Sequence, residues 1–334
     1  MPTGARAGGI DWETHMKPLI LIIDAPDENF GGEKFISLVA PSFPQLEFRS
    51  ITERDGSGPG IAEAEAIFGF SHHFSEGILT AAKNLKWIQT FTTGVDGVLR
   101  LKSLRKDVIL TSLRGVHGPQ MSELVFLHML ALCRNFPRIL DNQRNRVWER
   151  NAIPTLSGKT VVIFGVGTIA SALAKRCKAF DMTVVGVSST PRPMPEFDRM
   201  MARSDLNAAA ALADFFVVLV PLSPETQGIV NAPVLAAMKP SAYLINVARG
   251  GVCDEDAIMA AVRSKQIAGA GLDVFSTTPL PAQSPLWDVP GILLTPHLGG
   301  LSTTYMEQSV PIVAQNLKCL VDDRLGDLSN IIPH

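Results

Sequence analysis

Acidic residues are missing from one stretch of this chain. In "AGAGLDVFSTTPLPAQSPLWDVPGILLTPHLGG" (Ala268 to Gly300) none stands between Asp273 and Asp288. Other absences set wider limits. The four cysteines, Cys133, Cys177, Cys253 and Cys319, lie far apart and show no C-x-x-C spacing. They show no metal-ligand spacing and read as buried thiols in a reducing cytoplasm. There is no Lys/Arg run and the formal net charge is only −2, which argues against nucleic acid or an anionic membrane as partner. No apolar run reaches the roughly 18 residues of a membrane span, and the first residues lack a secretory apolar region. Charged residues make up only 19% and hydrophobic ones 46% of the 334 residues, which predicts packed cores over most of the length. At roughly 150 residues per domain, two domains are expected.

What is present is an alternation of short apolar runs with helix-like segments. In the first third the strand candidates are "LILII", "LEFRS", "AIFGF", "LKWIQTF" and "VILTS", spaced as in parallel βαβ units. "PQMSELVFLHMLALCRNFPRIL" then reads as one long helix with Pro119 in its first turn. A second series begins at Lys159: "TVVIFG", "TVVGVS", "DFFVVLV", "SAYLINV", "AGAGLDV" and "GILLT". These runs are apolar throughout, as expected for strands covered by helices on both faces, and their count of six suits a dinucleotide-binding doubly wound sheet. A helix over about Thr303 to Val321 follows. Residues 1–16 read as an extension, with Met16 a plausible start.

"TVVIFGVGTIASALAKRCKAF" combines a strand, a Gly-x-Gly-x-x-Ala turn (Gly165, Gly167, Ala170) and a helix. The first glycine permits the tight turn, the second lets backbone approach a pyrophosphate, and the helix N-terminus attracts its charge. This context predicts a nicotinamide dinucleotide site. At the end of the second strand, where an NAD-selective site carries an acid for the ribose 2′-hydroxyl, this chain has Ser188, followed by Ser189, Thr190 and Arg192. Hydroxyls and an arginine suit a 2′-phosphate, so NADP is expected in preference to NAD.

Taken in order, "IFGVGTIA", "VVLVPLSPETQGIVN", "LINVARGGVCDEDAI", "AGAGLDVF" and "LLTPHLGG", with "TTGVDGV" upstream, resemble the D-isomer-specific 2-hydroxyacid dehydrogenases. The resemblance runs from about Leu19 to the C-terminus. It implies an α/β architecture of two doubly wound parallel-sheet domains. A flavodoxin-like substrate domain, residues 17–115 and 298–334, would be interrupted by a Rossmann dinucleotide-binding domain, residues 116–297, with the active site in the cleft. It also implies a homodimer held by the helix of residues 119–140 and an arm carrying Trp148. Arg249 and His297 would be catalytic, and the amides of Thr93 and Gly94 would hold a substrate carboxylate. Thr168 and Ile169 would touch the pyrophosphate. Val220, Pro221, Thr226, Val247, Ala248, Asp273 and Gly300 would line the cofactor, with Asp273 bonding the carboxamide.

These roles have independent physical sense. Hydride arriving at a keto carbon leaves negative charge on oxygen. A guanidinium stabilises that charge and binds the neighbouring carboxylate, and histidine supplies the proton near working pH. The other histidines are weaker candidates: His72 and His73 sit in a turn, His128 in an apolar helix, and His117 near the hinge. Phe91, Trp148 and Trp287 are candidates either for lining a small pocket or for core and dimer packing.

The acid-free stretch now matters. The family pairs its histidine with a glutamate five residues after the aspartate, and here that position is Thr278. Threonine can orient an imidazole but supplies no charge to keep it protonated. Three readings follow. The first is a reductase of small 2-keto acids, of the glyoxylate or hydroxypyruvate type, that works best at lower pH. The second has another carboxylate substituting. The third is a dinucleotide-binding sensor with little or no turnover. Formate-type oxidation within the same superfamily is a further, less supported possibility.

Overall fold

The computed structural model describes residues 17–24 and 31–334; the extension expected over residues 1–16 lies outside them. By backbone contacts the chain divides into two compact units, one of residues 1–116 and 303–334, the other of residues 117–302.

In the first unit β1 (Leu19–Ile23), α1 (Gly32–Val39), β2 (Glu47–Ile51), β3 (Ala66–Gly69), α2 (Glu76–Ala81), β4 (Trp87–Thr90), α3 (Asp96–Leu99) and β5 (Ile109–Thr111) follow one another. The sheet order is β2-β1-β3-β4-β5 and every pairing is parallel, the flavodoxin-like order. All five residues of β1 are buried, which is why "LILII" carries no polar alternation. Aromatic packing of Phe35, Phe68, Trp87 and Phe91 fills one side of this sheet. Phe91 is fully buried there, so its side chain serves the core.

The second unit opens with α4 (Gly118–Cys133) and α5 (Phe136–Arg144). The single long helix expected over residues 119–140 is therefore two. Asn135 adopts a left-handed backbone, φ 52°, and Pro137 lacks the N–H that a continuous helix would donate to Cys133. Then come β6 (Thr160–Phe164), α6 (Thr168–Ala179), β7 (Thr183–Ser188), β8 (Arg199–Ala202), α7 (Leu206–Leu212), β9 (Phe215–Val218), α8 (Ala232–Ala237), β10 (Tyr243–Asn246), α9 (Glu255–Arg263), β11 (Gly269–Leu272) and β12 (Ile292–Leu294). The final helix, α10 (Tyr305–Val321), returns to the first unit.

This sheet has seven strands in the order β12-β11-β10-β9-β6-β7-β8, where the sequence pattern predicts six. The added strand, β8, is an edge strand of sequence "RMMA" with only Met201 buried, so it lacks the continuous apolar run that marks its neighbours. With it, β6 to β11 form the full 3-2-1-4-5-6 dinucleotide-binding order, and β12 extends the sheet by one. Both units are thus parallel α/β sheets.

Candidate active site

The order reverses between β6, which β7 follows on one side, and β9 on the other. Ligands of such sheets bind outside the carboxyl ends of the strands at this switch point, and the glycine turn stands there. Gly165 has φ +104°, and a Cβ on it would lie 2.5 Å from the Val220 amide nitrogen. Only glycine lets this turn seat against the end of β9. Gly167 differs: a Cβ there would meet nothing within 4 Å. The space over the first turn of α6 is open, and no side chain caps that helix, leaving the N-terminal amides around Thr168 and Ile169 directed at it. At the end of β7 the Ser188 hydroxyl is buried without a hydrogen-bond partner, a polar group poised for a ligand. Open space over Gly167, bare helix amides and an orphaned hydroxyl fit a dinucleotide.

Next to the glycine turn, Thr226 is buried and locks residues 221–226 into one turn: its Oγ1 donates to Pro221 O at 2.6 Å and accepts the Ser223 amide at 2.8 Å. Val220, Val247 and Ala248 are buried at the strand ends; Pro221 is exposed.

Three chemically distinctive residues leave neighbouring strands. Arg249 follows β10, Asp273 follows β11 and His297 follows β12, and these strands are consecutive in the sheet. Arg249 is shaped by its own loop. Asn246 Nδ2 donates to its carbonyl at 3.0 Å, and its Nη1 donates to Ala248 O at 2.7 Å. The loop packs directly on the chain after β11, since a Cβ on Gly250 would fall 1.9 Å from the Phe275 carbonyl carbon. The "VARGG" backbone and the start of "FSTTP" are thus in contact.

Asp273 is fully buried and holds the His297 loop. It accepts from Thr295 Oγ1 at 2.6 Å, from the Leu298 amide at 2.8 Å and from the Gly299 amide at 3.0 Å. Behind Thr295 lies His128, whose Nε2 is 3.1 Å from Thr295 Oγ1. His128 reaches this position because β11 has glycine where it passes: a Cβ on Gly271 would lie 2.5 Å from its Nδ1. Burial pushes His128 down to about 4, only partly opposed by Asp273. His297 itself is exposed, with a left-handed backbone at φ +57°. Thr278 is exposed as well, its hydroxyl donating to Phe275 O at 3.4 Å.

His117 is buried at the start of α4. A Cβ on Gly300 would lie 3.6 Å from its Cδ2, and burial together with the Arg249 charge pushes its imidazole down to about 4. A neutral imidazole therefore stands within electrostatic reach of Arg249 and against the loop that bears His297. Sequence reasoning ranked it low because nothing local ties residue 117 to residue 249 or 300.

A family profile described as D-isomer specific 2-hydroxyacid dehydrogenase, NAD binding domain, matches residues 126–299. Glyoxylate/hydroxypyruvate reductase B of Pectobacterium carotovorum subsp. carotovorum is 34% identical over 84% of this chain and 88% of its own length. This chain belongs to the D-isomer-specific 2-hydroxyacid dehydrogenase family. D-3-phosphoglycerate dehydrogenase of Methanocaldococcus jannaschii is 31% identical over 75% of this chain; the match spans about half, 48%, of that longer protein. Among solved structures, the D-isomer specific 2-hydroxyacid dehydrogenase of Xanthobacter autotrophicus Py2, in complex with NADPH and MES, superposes with a TM-score of 0.83. It is 29% identical, covering 95% of this chain and 98% of that one. The chain is accordingly an oxidoreductase with the NAD(P)-binding domain of that family.

Thr93 and Gly94 stand in the other unit, in the loop between β4 and α3, where Thr93 Oγ1 donates to Leu113 O at 3.2 Å. Ser189 lines a cavity of about 430 Å³ together with Ala202, Arg203, Ser204 and Ile229. Arg192 is exposed and does not line it. Trp148 is 90% exposed and Trp287 53% exposed. Among the described residues no helix is long and apolar enough to cross a membrane.

Proposed function

We propose that this dehydrogenase reduces a small 2-keto acid of the glyoxylate or hydroxypyruvate type to the D-2-hydroxy acid, using NADPH in preference to NADH. The observation carrying this reading is the departure of Arg249, Asp273 and His297 from three adjacent strand ends, β10, β11 and β12. A reduced nicotinamide, when bound, supplies the hydride. Arg249 polarises the keto oxygen and binds the neighbouring carboxylate with its fork of donors. His297 gives the proton that the developing alkoxide requires. Asp273 acts through the loop: it accepts the Thr295 hydroxyl before His297 and the Leu298 and Gly299 amides after it. The amides of Thr93 and Gly94 are assigned to the substrate carboxylate on the family resemblance.

The preference for NADPH is supported by Ser188, which stands where an NAD-selective site carries an acid, and by the NADPH complex of the Xanthobacter relative. A cytoplasmic homodimer completes the reading, supported by four buried free thiols and by apolar side chains exposed on and around α5.

The test is NADPH-dependent reduction of glyoxylate and hydroxypyruvate by wild type and Arg249→Ala, with NADPH binding measured in parallel. The variant is expected to lose on the order of 10²–10³-fold or more in kcat/KM while its Kd for NADPH stays within about twofold. Parallel loss of turnover and NADPH binding would mean that Arg249 is structural. A wild type that binds NADPH yet reduces no 2-keto acid in a broad panel would favour the alternative, a dinucleotide sensor, for which Thr278 in place of the family glutamate is the one supporting observation.

A further inference from the structure

The cavity lined by Ser189 has a feature that the sequence pattern does not reveal. Ser188 at the end of β7 pairs in register with Ala202 at the end of β8. The residues that follow, Ser189 and Arg203, therefore leave adjacent strand ends on the same edge of the sheet. The cavity of about 430 Å³ between them is lined by Ser189, Ala202, Arg203, Ser204 and Ile229. It contains one guanidinium and two hydroxyls, and no carboxylate.

Arg203 is half-buried, and none of the ion pairs within 4 Å among the described residues includes it. The acid within electrostatic range is Glu225. That carboxylate is committed elsewhere, accepting from Ser223 Oγ at 2.6 Å, and this bond, more than Arg203, keeps it below the usual carboxylate range. A half-buried guanidinium without a direct counter-ion keeps its fork of donors available to an incoming anion. The orphaned Ser188 hydroxyl lies at the same strand end. In this fold, the end of the second strand of the doubly wound half is where the ribose of the adenosine half of a dinucleotide is read. Arg192, by contrast, is exposed in the loop beyond and does not line the cavity.

We propose that Arg203, flanked by the hydroxyls of Ser189 and Ser204, recognises a phosphate monoester on the adenosine ribose of the dinucleotide, and that Arg192 does not. Arg203 is then the residue that sets coenzyme choice in this chain. A guanidinium offers a planar fork of donors that matches two phosphate oxygens, and the serine hydroxyls complete the set. The proposal rests on the dinucleotide-dependent reading above and refines which side chain discriminates between coenzymes.

The experiment is a direct binding titration of the full chain with NADPH, NADH, 2′-AMP and 5′-AMP, by calorimetry. Wild type, Arg203→Gln, Arg203→Lys and Arg192→Ala are compared, with a melting temperature for each. Arg203→Gln is expected to weaken NADPH and 2′-AMP by about tenfold or more, equivalent to about 1.4 kcal/mol. NADH and 5′-AMP should stay within about twofold. Arg203→Lys should retain part of the NADPH affinity, since it keeps the charge but not the fork. Arg192→Ala should leave all four ligands unchanged. The proposal is overturned if Arg203→Gln, at an unchanged melting temperature, weakens NADPH and NADH equally. It is also overturned if Arg192→Ala carries the loss, or if wild type binds NADH as tightly as NADPH. Should wild type bind neither coenzyme, the dinucleotide reading itself fails, an outcome distinct from the others.

Discussion

Asp273 accepts the amide of Leu298 at 2.8 Å, immediately past His297. Together with the Gly299 amide and the Thr295 hydroxyl, this means that the carboxylate at the end of β11 holds the chain on both sides of the histidine. His297 sits in a left-handed backbone conformation, φ +57°, which a non-glycine residue adopts at some cost unless its surroundings require it. The anchor makes a prediction. Asp273→Asn turns one acceptor oxygen into a donor facing an N–H, so a loss of about 2–3 kcal/mol in unfolding free energy is expected. Thr295→Val should cost less, about 1–2 kcal/mol, because it removes one hydroxyl between His128 and Asp273. Both variants should lower kcat. Denaturant melts paired with steady-state kinetics decide the point; unchanged kcat in a destabilised Asp273→Asn would show that the anchor serves stability alone.

Thr278 offers a second test. A carboxylate near an imidazole stabilises its protonated form, whereas a hydroxyl does not. On the family resemblance, which places Thr278 where the histidine's glutamate stands, the rate of keto-acid reduction in wild type is expected to be greatest on the acid side of neutrality. Thr278→Glu should move the falling limb of the kcat profile to higher pH by on the order of one unit. Superimposable profiles would detach Thr278 from the proton-donating step.

Stability should itself depend on pH through two buried histidines. His117 and His128 are each pushed from 6.5 down to about 4 in the folded chain, chiefly by burial. Between those values the unfolded chain binds protons that the folded chain does not. The stabilising contribution is thus complete above pH 6.5 and is lost as pH falls toward 4. Each group can contribute up to about 3 kcal/mol. Guanidinium melts at pH 7.5 and pH 5 should show a clear loss, and His128→Gln should flatten the dependence; equal wild-type midpoints at both pH values would rule this out.

The region around α5 predicts an oligomer. Trp148 is 90% exposed, Val147 52%, Phe136 47% and Ile139 45%, an apolar surface of a kind that association covers. The segment bearing Trp148 is held in place. Glu149 accepts from Arg138 at 2.8 Å, from Asn142 at 2.7 Å and from Asn151 at 2.9 Å, bonds that hold its carboxyl down to about 2. Light scattering after size exclusion should give a dimer for wild type and a larger monomer fraction for Trp148→Glu. A monomeric wild type would contradict the assignment.

Much of the fold was legible locally. Strands covered on both faces, such as "LILII" and "DFFVVLV", are uninterrupted apolar runs, and period and composition suffice to find them. The glycine turn was legible for a related reason: Gly165 answers a backbone requirement at its own position, a positive φ against the end of β9. Two local features escaped. The edge strand β8 is half-solvated and mixed in character, so it leaves no such run. The break at Asn135 falls inside a segment whose apolar content reads through it.

The amino-acid sequence by itself determined the family, the alternation of strands and helices, the glycine turn and the chemical types available at the active site, because each is written in contiguous residues. Only the tertiary structure decided which of those residues act on one another. His128, Thr295 and Asp273 form one hydrogen-bonded line although 167 residues separate the first two. Arg203 shares a cavity with Ser189 because β7 and β8 are in register, and Arg249 bears on His117 across more than a hundred residues of chain. These relations arise from the order in which parallel strands lie side by side. That order is set by packing the whole sheet between its helices, so no short stretch of sequence records it.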